Sequence, residues 1–243
     1  MYKKFTGWLL IALLCGMAAA QSKDFWQSKE YRQWNEKECK KLLEDSPWAQ
    51  DYTFSRTLIE PLQRATGERA GESKPQMSYL AQFRSALPIR QALIRLQQIN
   101  NKYDQMPPEQ KQEFDQRAAK LLNADFTEVI AVHVKYGSNV AVYDRDMANY
   151  WHAQTTETQK NFAFLIGPKG QKIPPQRFTV TTGAGREFTL YFPRSSEGKP
   201  LASAQDKTIK LDFMHPRVGD QGEARVLLEF KIERMAINGT ISY

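Results

Sequence analysis

Histidine, cysteine and long apolar runs are all scarce in this chain. Three His and two Cys are spread over 243 residues. Two cysteines exclude a disulfide framework. Beyond the first twenty residues, no stretch approaches the roughly 20 apolar residues that a membrane-crossing helix needs. The 13 Gly and 12 Pro follow no period, which excludes collagen-like repeats. The patterns G-x-S-x-G, H-E-x-x-H, C-x-x-C and the P-loop do not occur, so no catalytic residue is assigned. A chain that is 41% hydrophobic, 12% aromatic and 25% charged nevertheless has the composition of a globular protein. Its length allows one or two domains.

The net charge, 34 − 27 = +7, points to no nucleic acid. Lys and Arg alternate with Glu and Asp, as in residues 23–45, and no basic stripe results. Part of the excess sits in the first twenty residues. Lys3 and Lys4 precede an apolar stretch over residues 5–17, and Ala18, Ala19 and Ala20 follow it. This is the three-part pattern of a secretory signal peptide, cleaved before Gln21. Leu13 and Leu14 before Cys15 do not fit a lipoprotein signal, which wants small residues there. Cleavage leaves 32 − 27 = +5, one thiol (Cys39) and no transmembrane segment. The expected location is the periplasm or the outside of the cell.

Residues 21–125 read mainly as helices. Asn35 with Glu38 has the spacing of a capping box, and Trp34 with Cys39 that of a hydrophobic staple. Cys39, Leu42 and Leu43 share one face, which makes Cys39 a small buried hydrophobe rather than a reactive thiol. Pro47 ends the helix near Asp45. Tyr52 and Phe54 alternate with polar residues, so residues 51–56 read as an early strand. Residues 66–73 read as a loop. Met77, Leu80, Phe83 and Leu87 step by three and four, which predicts a helix up to Pro88. Ile89, Ala92, Leu93, Leu96, Ile99 and Tyr103 continue the stripe. A further helix over residues 109–122, with Phe114, Ala118, Leu121 and Leu122 inward, completes a helical hairpin.

Several short segments carry a resemblance. Trp26, Trp34, Glu38, Leu42-Leu43 and Ser46-Pro47-Trp48-Ala49 form a W-x3-E-x3-LL-x2-SPWA segment. With Ser85-Ala86-Leu87-Pro88, Leu190-Tyr191-Phe192-Pro193-Arg194 and Phe230-Lys231-Ile232, it resembles a group of uncharacterised secreted bacterial proteins. The resemblance implies export and a single folded unit, and no mechanism.

From Phe126 the period changes to two. Ile130, Val132, Val134 and Tyr136 alternate with polar positions. Gly137-Ser138-Asn139 reads as a turn, with residues 140–143 returning as a second strand. Strands follow over residues 161–166, around Phe178, around Phe188–Phe192, around Ile209–Phe213 and around Val226–Ile232. A bend is expected near Met235, and Asn238-Gly239 is a two-residue hairpin turn. The expectation is an α+β chain: N-terminal helices with a helical hairpin over residues 21–125, then an antiparallel β-sandwich over residues 126–243. If residues 51–56 join that sandwich, the helical hairpin is an insertion.

Chemistry-bearing residues cluster once. Asp144-Arg145-Asp146 is followed by Tyr150, Trp151 and His152 on what reads as a loop or short helix. Two carboxylates one residue apart on a loop hold a cation such as calcium in some proteins. With His152 they suggest acid–base work. Asp144, Asp146, Trp151 and His152 are therefore the candidate binding residues, the alternative being a solvated turn in which Arg145 neutralises the acids; no cofactor is expected, with calcium or another divalent cation as the alternative. His133 and His215 read as isolated surface or strand-end histidines. Trp26, Trp34, Trp48 and Trp151 read as packing residues, or alternatively as a sugar-stacking platform. The expected function is a secreted, non-catalytic protein that binds a protein or glycan partner or serves envelope interactions. The alternatives are a metal-dependent hydrolase using the Asp/His cluster and a carbohydrate-binding module.

Overall fold

Every second side chain of the segment Met-Ser-Tyr-Leu-Ala-Gln-Phe is buried, and that alternation organises the molecule. A computed structural model describes residues 24–55 and 75–243, apart from residues 184, 197, 220, 238 and 239. The signal-peptide pattern and the loop at residues 66–73 lie outside the described residues, as does the Asn238-Gly239 turn itself.

The N-terminal part follows the local signals. A short helix α1 (Phe25–Ser28) precedes α2 (Glu36–Glu44). The Asn35 side chain accepts from the Glu38 amide at 2.9 Å, and the Glu38 carboxylate accepts from the Asn35 amide at 2.7 Å. Cys39, Leu42 and Leu43 are buried. Burial pushes the Cys39 thiol up to about 11, so it stays protonated. Strand β1 (Ala49–Phe54) then pairs antiparallel with β2 (Met77–Phe83).

β2 corrects the helix expected from Met77 to Leu87. Met77, Tyr79, Ala81 and Phe83 are buried and Leu80 is on the other face. Met77 and Phe83 satisfy both periods, and pairing with β1 on one side and β3 on the other selects the strand. Helix α3 (Leu87–Asn100) starts afresh, with Pro88 in its first turn, where the missing N–H costs nothing. Helix α4 (Pro108–Leu122) buries only Phe114. Ala118, Leu121 and Leu122, expected to be inward, are at most partly covered. Arg90 of α3 is buried, and its guanidinium donates to the carbonyls of Leu121, Leu122 and Ala124 at 3.1, 2.6 and 3.2 Å. It satisfies the carbonyls that the end of α4 leaves unpaired.

β3 (Val129–Ser138) is not followed by a returning strand. Residues 141–152 form helix α5 (Ala141–His152), which buries Met147, Ala148 and Trp151. The strand reading rested on four residues; the helical stripe 147, 148, 151 lies further on and decides the conformation. Helix α6 (Thr156–Phe162) is opened by a capping box of Thr155 and Thr158. The strand expected over residues 161–166 therefore begins later, as β4 (Ala163–Ile166). β5 (Lys172–Ile173), β6 (Arg177–Val180) and β7 (Glu187–Pro193) follow. After them come β8 (Ser195–Ser196), β9 (Lys199–Pro200), β10 (Thr208–His215), β11 (Ala224–Lys231), β12 (Ala236–Ile237) and β13 (Thr240–Ile241). One 3-10 turn at Ile232–Arg234 makes the bend expected before Met235.

The molecule is thus α+β with antiparallel sheets. The largest sheet has the order β1-β2-β3-β7-β6 and the next β11-β10-β4-β5, while β8-β9 and β12-β13 form two-stranded ribbons. Pairing of β2 with β3 crosses residue 125, where the sequence had suggested a boundary. Buried residues of both sheets belong to one core cluster. Phe83 meets Phe230 with ring centroids 4.7 Å apart, and Tyr79 meets Phe213 at 5.0 Å, both edge-to-face. Trp151 of α5 lies on Phe188 at 4.2 Å. The end of the chain is tied down as well. The Trp48 indole donates to the Ser242 carbonyl, Arg194 donates to the Tyr243 carbonyl, and the Tyr243 hydroxyl donates to the Ala202 carbonyl at 3.2 Å.

Candidate functional site

The residues singled out in the sequence do not converge. Asp144 and Asp146 are on helix α5, not on a loop, and two residues along a helix put side chains about 200° apart. Asp144 pairs with Arg186 at 2.8 Å, and Asp146 lies 3.7 Å from Arg145. Trp151 is fully buried. His152 is exposed, and its Nε2 lies 3.1 Å from the Thr181 carbonyl. Among the described residues no group of three or more His, Cys, Asp or Glu could hold a metal ion. The four tryptophans expected to pack do so: Trp26, Trp34, Trp48 and Trp151 are all buried, so none offers a face to a sugar ring. His133 and His215 are buried too, rather than surface residues.

The polar side chains that do converge lie on the outer face of the five-stranded sheet. Its strands alternate, so Gln82, His133 and Thr189 form one cross-strand row. His133 Nδ1 lies 3.0 Å from the Thr189 hydroxyl, and Nε2 lies 3.1 Å from the Glu187 carboxylate. A carboxylate only accepts, so Nε2 carries the proton and donates to Glu187; Nδ1 accepts from Thr189. Glu187 accepts in addition from the Thr181 hydroxyl at 3.2 Å. Burial opposes its ionisation, but His133, Thr181 and Lys135 together hold its carboxyl below the ordinary range.

Arg84, which directly follows β2, faces the same side. Its backbone N–H donates to the Ala131 carbonyl at 2.8 Å. Burial first, and then the positive charge of Arg84, hold His133 well below the usual imidazole range, and the attraction of Glu187 does not reverse this. Burial also lowers Arg84 itself, to about 10. Its Nε is sealed from solvent with no hydrogen-bond partner among the described residues, and the same holds for Oε1 of buried Gln82. The terminal nitrogens of Arg84 are neither sealed nor paired, so they open to solvent. Every other buried or half-buried arginine among the described residues has an acceptor. Arg90 has its three carbonyls, Arg95 the Trp34 carbonyl, Arg186 the Asp144 carboxylate and Arg194 the Phe126 carbonyl. Beyond Ala131 on the same face, Tyr191 carries the Arg177 guanidinium 3.6 Å from its ring centroid.

No family model matches the chain, and no curated protein or solved structure is significantly similar to it. Geometry alone therefore supports a reading. The sequence of groups Thr189, His133, Glu187 has the order of a hydroxyl, a base and an orienting carboxylate. It is a poor base, however. Abstracting a proton would create an imidazolium beside Arg84, in a site that already disfavours that charge. Thr189 also lies mid-strand with neighbours on both sides, where strand amides are engaged in the ladder. The arrangement suits holding a charged group rather than breaking a bond.

A second buried pair joins β2 and β10. The Tyr79 hydroxyl and His215 Nδ1 are 2.7 Å apart, and Phe54 stands edge-on to the imidazole at 4.9 Å. Burial lowers His215 to about 4 and raises the Tyr79 phenol well above its ordinary value. Its Nε2 has no partner among the described residues.

Sequence reasoning placed His133 on the polar face of its strand but missed Arg84, Glu187 and Thr189. The usable signal was the polar alternation Gln82/Arg84, His133/Lys135 and Glu187/Thr189. Only the register of β2, β3 and β7 brings those positions together.

Proposed function

We propose that this chain is an exported, non-catalytic binding protein and that it holds its partner on the outer face of the five-stranded sheet. One observation carries the reading: Arg84 is mostly buried, its Nε is sealed from water, and its guanidinium has no hydrogen-bond acceptor among the described residues. Burial of this cation opposes folding, by about 3 kcal/mol for the lowering to about 10, and the attraction of Glu187 only partly offsets it. Such a residue is retained where a partner completes it. Export rests on the three-part pattern of residues 1–20 and on the resemblance to secreted bacterial proteins. Among the described residues no helix is long and apolar enough to cross a membrane.

We infer further that the two sheets form a sandwich and that α3 with α4 is a helical hairpin inserted between β2 and β3. The edge-to-face contacts Phe83–Phe230 and Tyr79–Phe213 support the first part, and the Arg90 bonds to the end of α4 support the second.

The test is the thermal stability of an Arg84→Met variant. A binding residue that strains the fold predicts a gain of about 1 kcal/mol or more. A loss of stability would make Arg84 a structural residue and remove the reading.

A further inference from the structure

The charged groups that act on His133 are three: Arg84 from the end of β2, Glu187 from β7 and Lys135 from its own strand. Glu187 is the single anion among them, and its two oxygens are engaged by His133 and Thr181. The positive side of the cluster is left unbalanced, with the Arg84 terminal nitrogens open to solvent. A guanidinium edge presents parallel N–H donors that match two oxygens of one oxyanion. Resting on the binding reading above, we propose that Arg84 and its neighbour His133 form a proton-linked site for a single oxyanion, a phosphoryl, sulfuryl or carboxylate group of the partner.

The linkage follows from charge. Glu187 offsets only part of the Arg84 charge, so an imidazolium at His133 is still repelled. An oxyanion on Arg84 cancels that repulsion, so His133 gains a proton more readily in the complex than in the free protein. Linkage is reciprocal: acidification tightens binding. Protonation also reverses the bond between His133 and Thr189. Nδ1–H then donates to the Thr189 oxygen, and the hydroxyl hydrogen is released toward other acceptors. The group can come from a soluble ester or acid or from a lipid headgroup.

Sulfate is the probe of choice because its own charge is constant between pH 5 and pH 7.5. Titration of the purified chain with sulfate, followed through the backbone amide signals of β2 and β3 by NMR, should show saturable binding about threefold tighter at pH 5 than at pH 7.5. Arg84→Gln should abolish it. His133→Gln should retain binding and lose the pH dependence. A parallel arm uses phosphatidylcholine vesicles with and without phosphatidylglycerol. Arg84-dependent binding to the anionic vesicles alone supports the site with a headgroup as its source, and binding of free sulfate supports a soluble source. Sulfate or vesicle binding that survives Arg84→Gln overturns the proposal, as does binding insensitive to pH, and so does no binding of either probe. None of these outcomes alters the Arg84→Met stability result, so failure of the oxyanion site is distinguishable from failure of the sheet-face reading.

Discussion

Two imidazoles decide how this molecule responds to acid. His133 and His215 are both held below their ordinary range, chiefly by burial. The unfolded chain titrates near pH 6.5, so below that value it binds more protons than the folded one. Their contribution to stability is therefore complete above about pH 6.5 and declines toward pH 4, where His215 titrates in the fold. The loss amounts to about 2 kcal/mol per imidazole by pH 5. Thermal denaturation across pH 7.5 to 4.5 measures it. The double variant Tyr79→Phe with His215→Phe should flatten that slope by about half, because it removes one of the two groups and leaves no orphaned hydroxyl. An unchanged slope would place the acid sensitivity elsewhere.

Elements with local signals were legible and elements chosen by their partners were not. The capping box of α2 involves residues three apart, and it was readable from Asn35 and Glu38. Asn35→Ala should cost about 1 kcal/mol, measured by urea denaturation. β2 was misread because its apolar residues fit a helix as well as a strand, and only pairing with β1 and β3 separates the two. α5 was misread because residues 140–143 alternate while the stripe that fixes the helix starts at Met147. The candidate site suffered from the same limit. Arg84, His133 and Glu187 are far apart in sequence, and alternation reveals the face a residue occupies but not its neighbours. Helix α4 depends on a distant residue in a different way. With one buried aromatic, it leans on Arg90 for its last carbonyls. Arg90→Met should raise amide exchange across residues 108–122 at least tenfold while α2 stays protected. Equal exchange in both helices would show that the Arg90 bonds are dispensable.

At the scale of the whole molecule, aromatic pairs such as Phe83–Phe230 and Tyr79–Phe213 join strands of the two larger sheets. A double-mutant cycle on Phe83→Leu and Phe230→Leu should give a coupling energy of about 1 kcal/mol, and a value near zero would argue against face-to-face packing of the two sheets. The anchoring of residues 242 and 243 has a consequence in time. Trp48, Arg194 and Ala202 wait for those two residues to complete their hydrogen bonds. A polypeptide still being made by the ribosome lacks this latch until the codons for Ser242 and Tyr243 have been read.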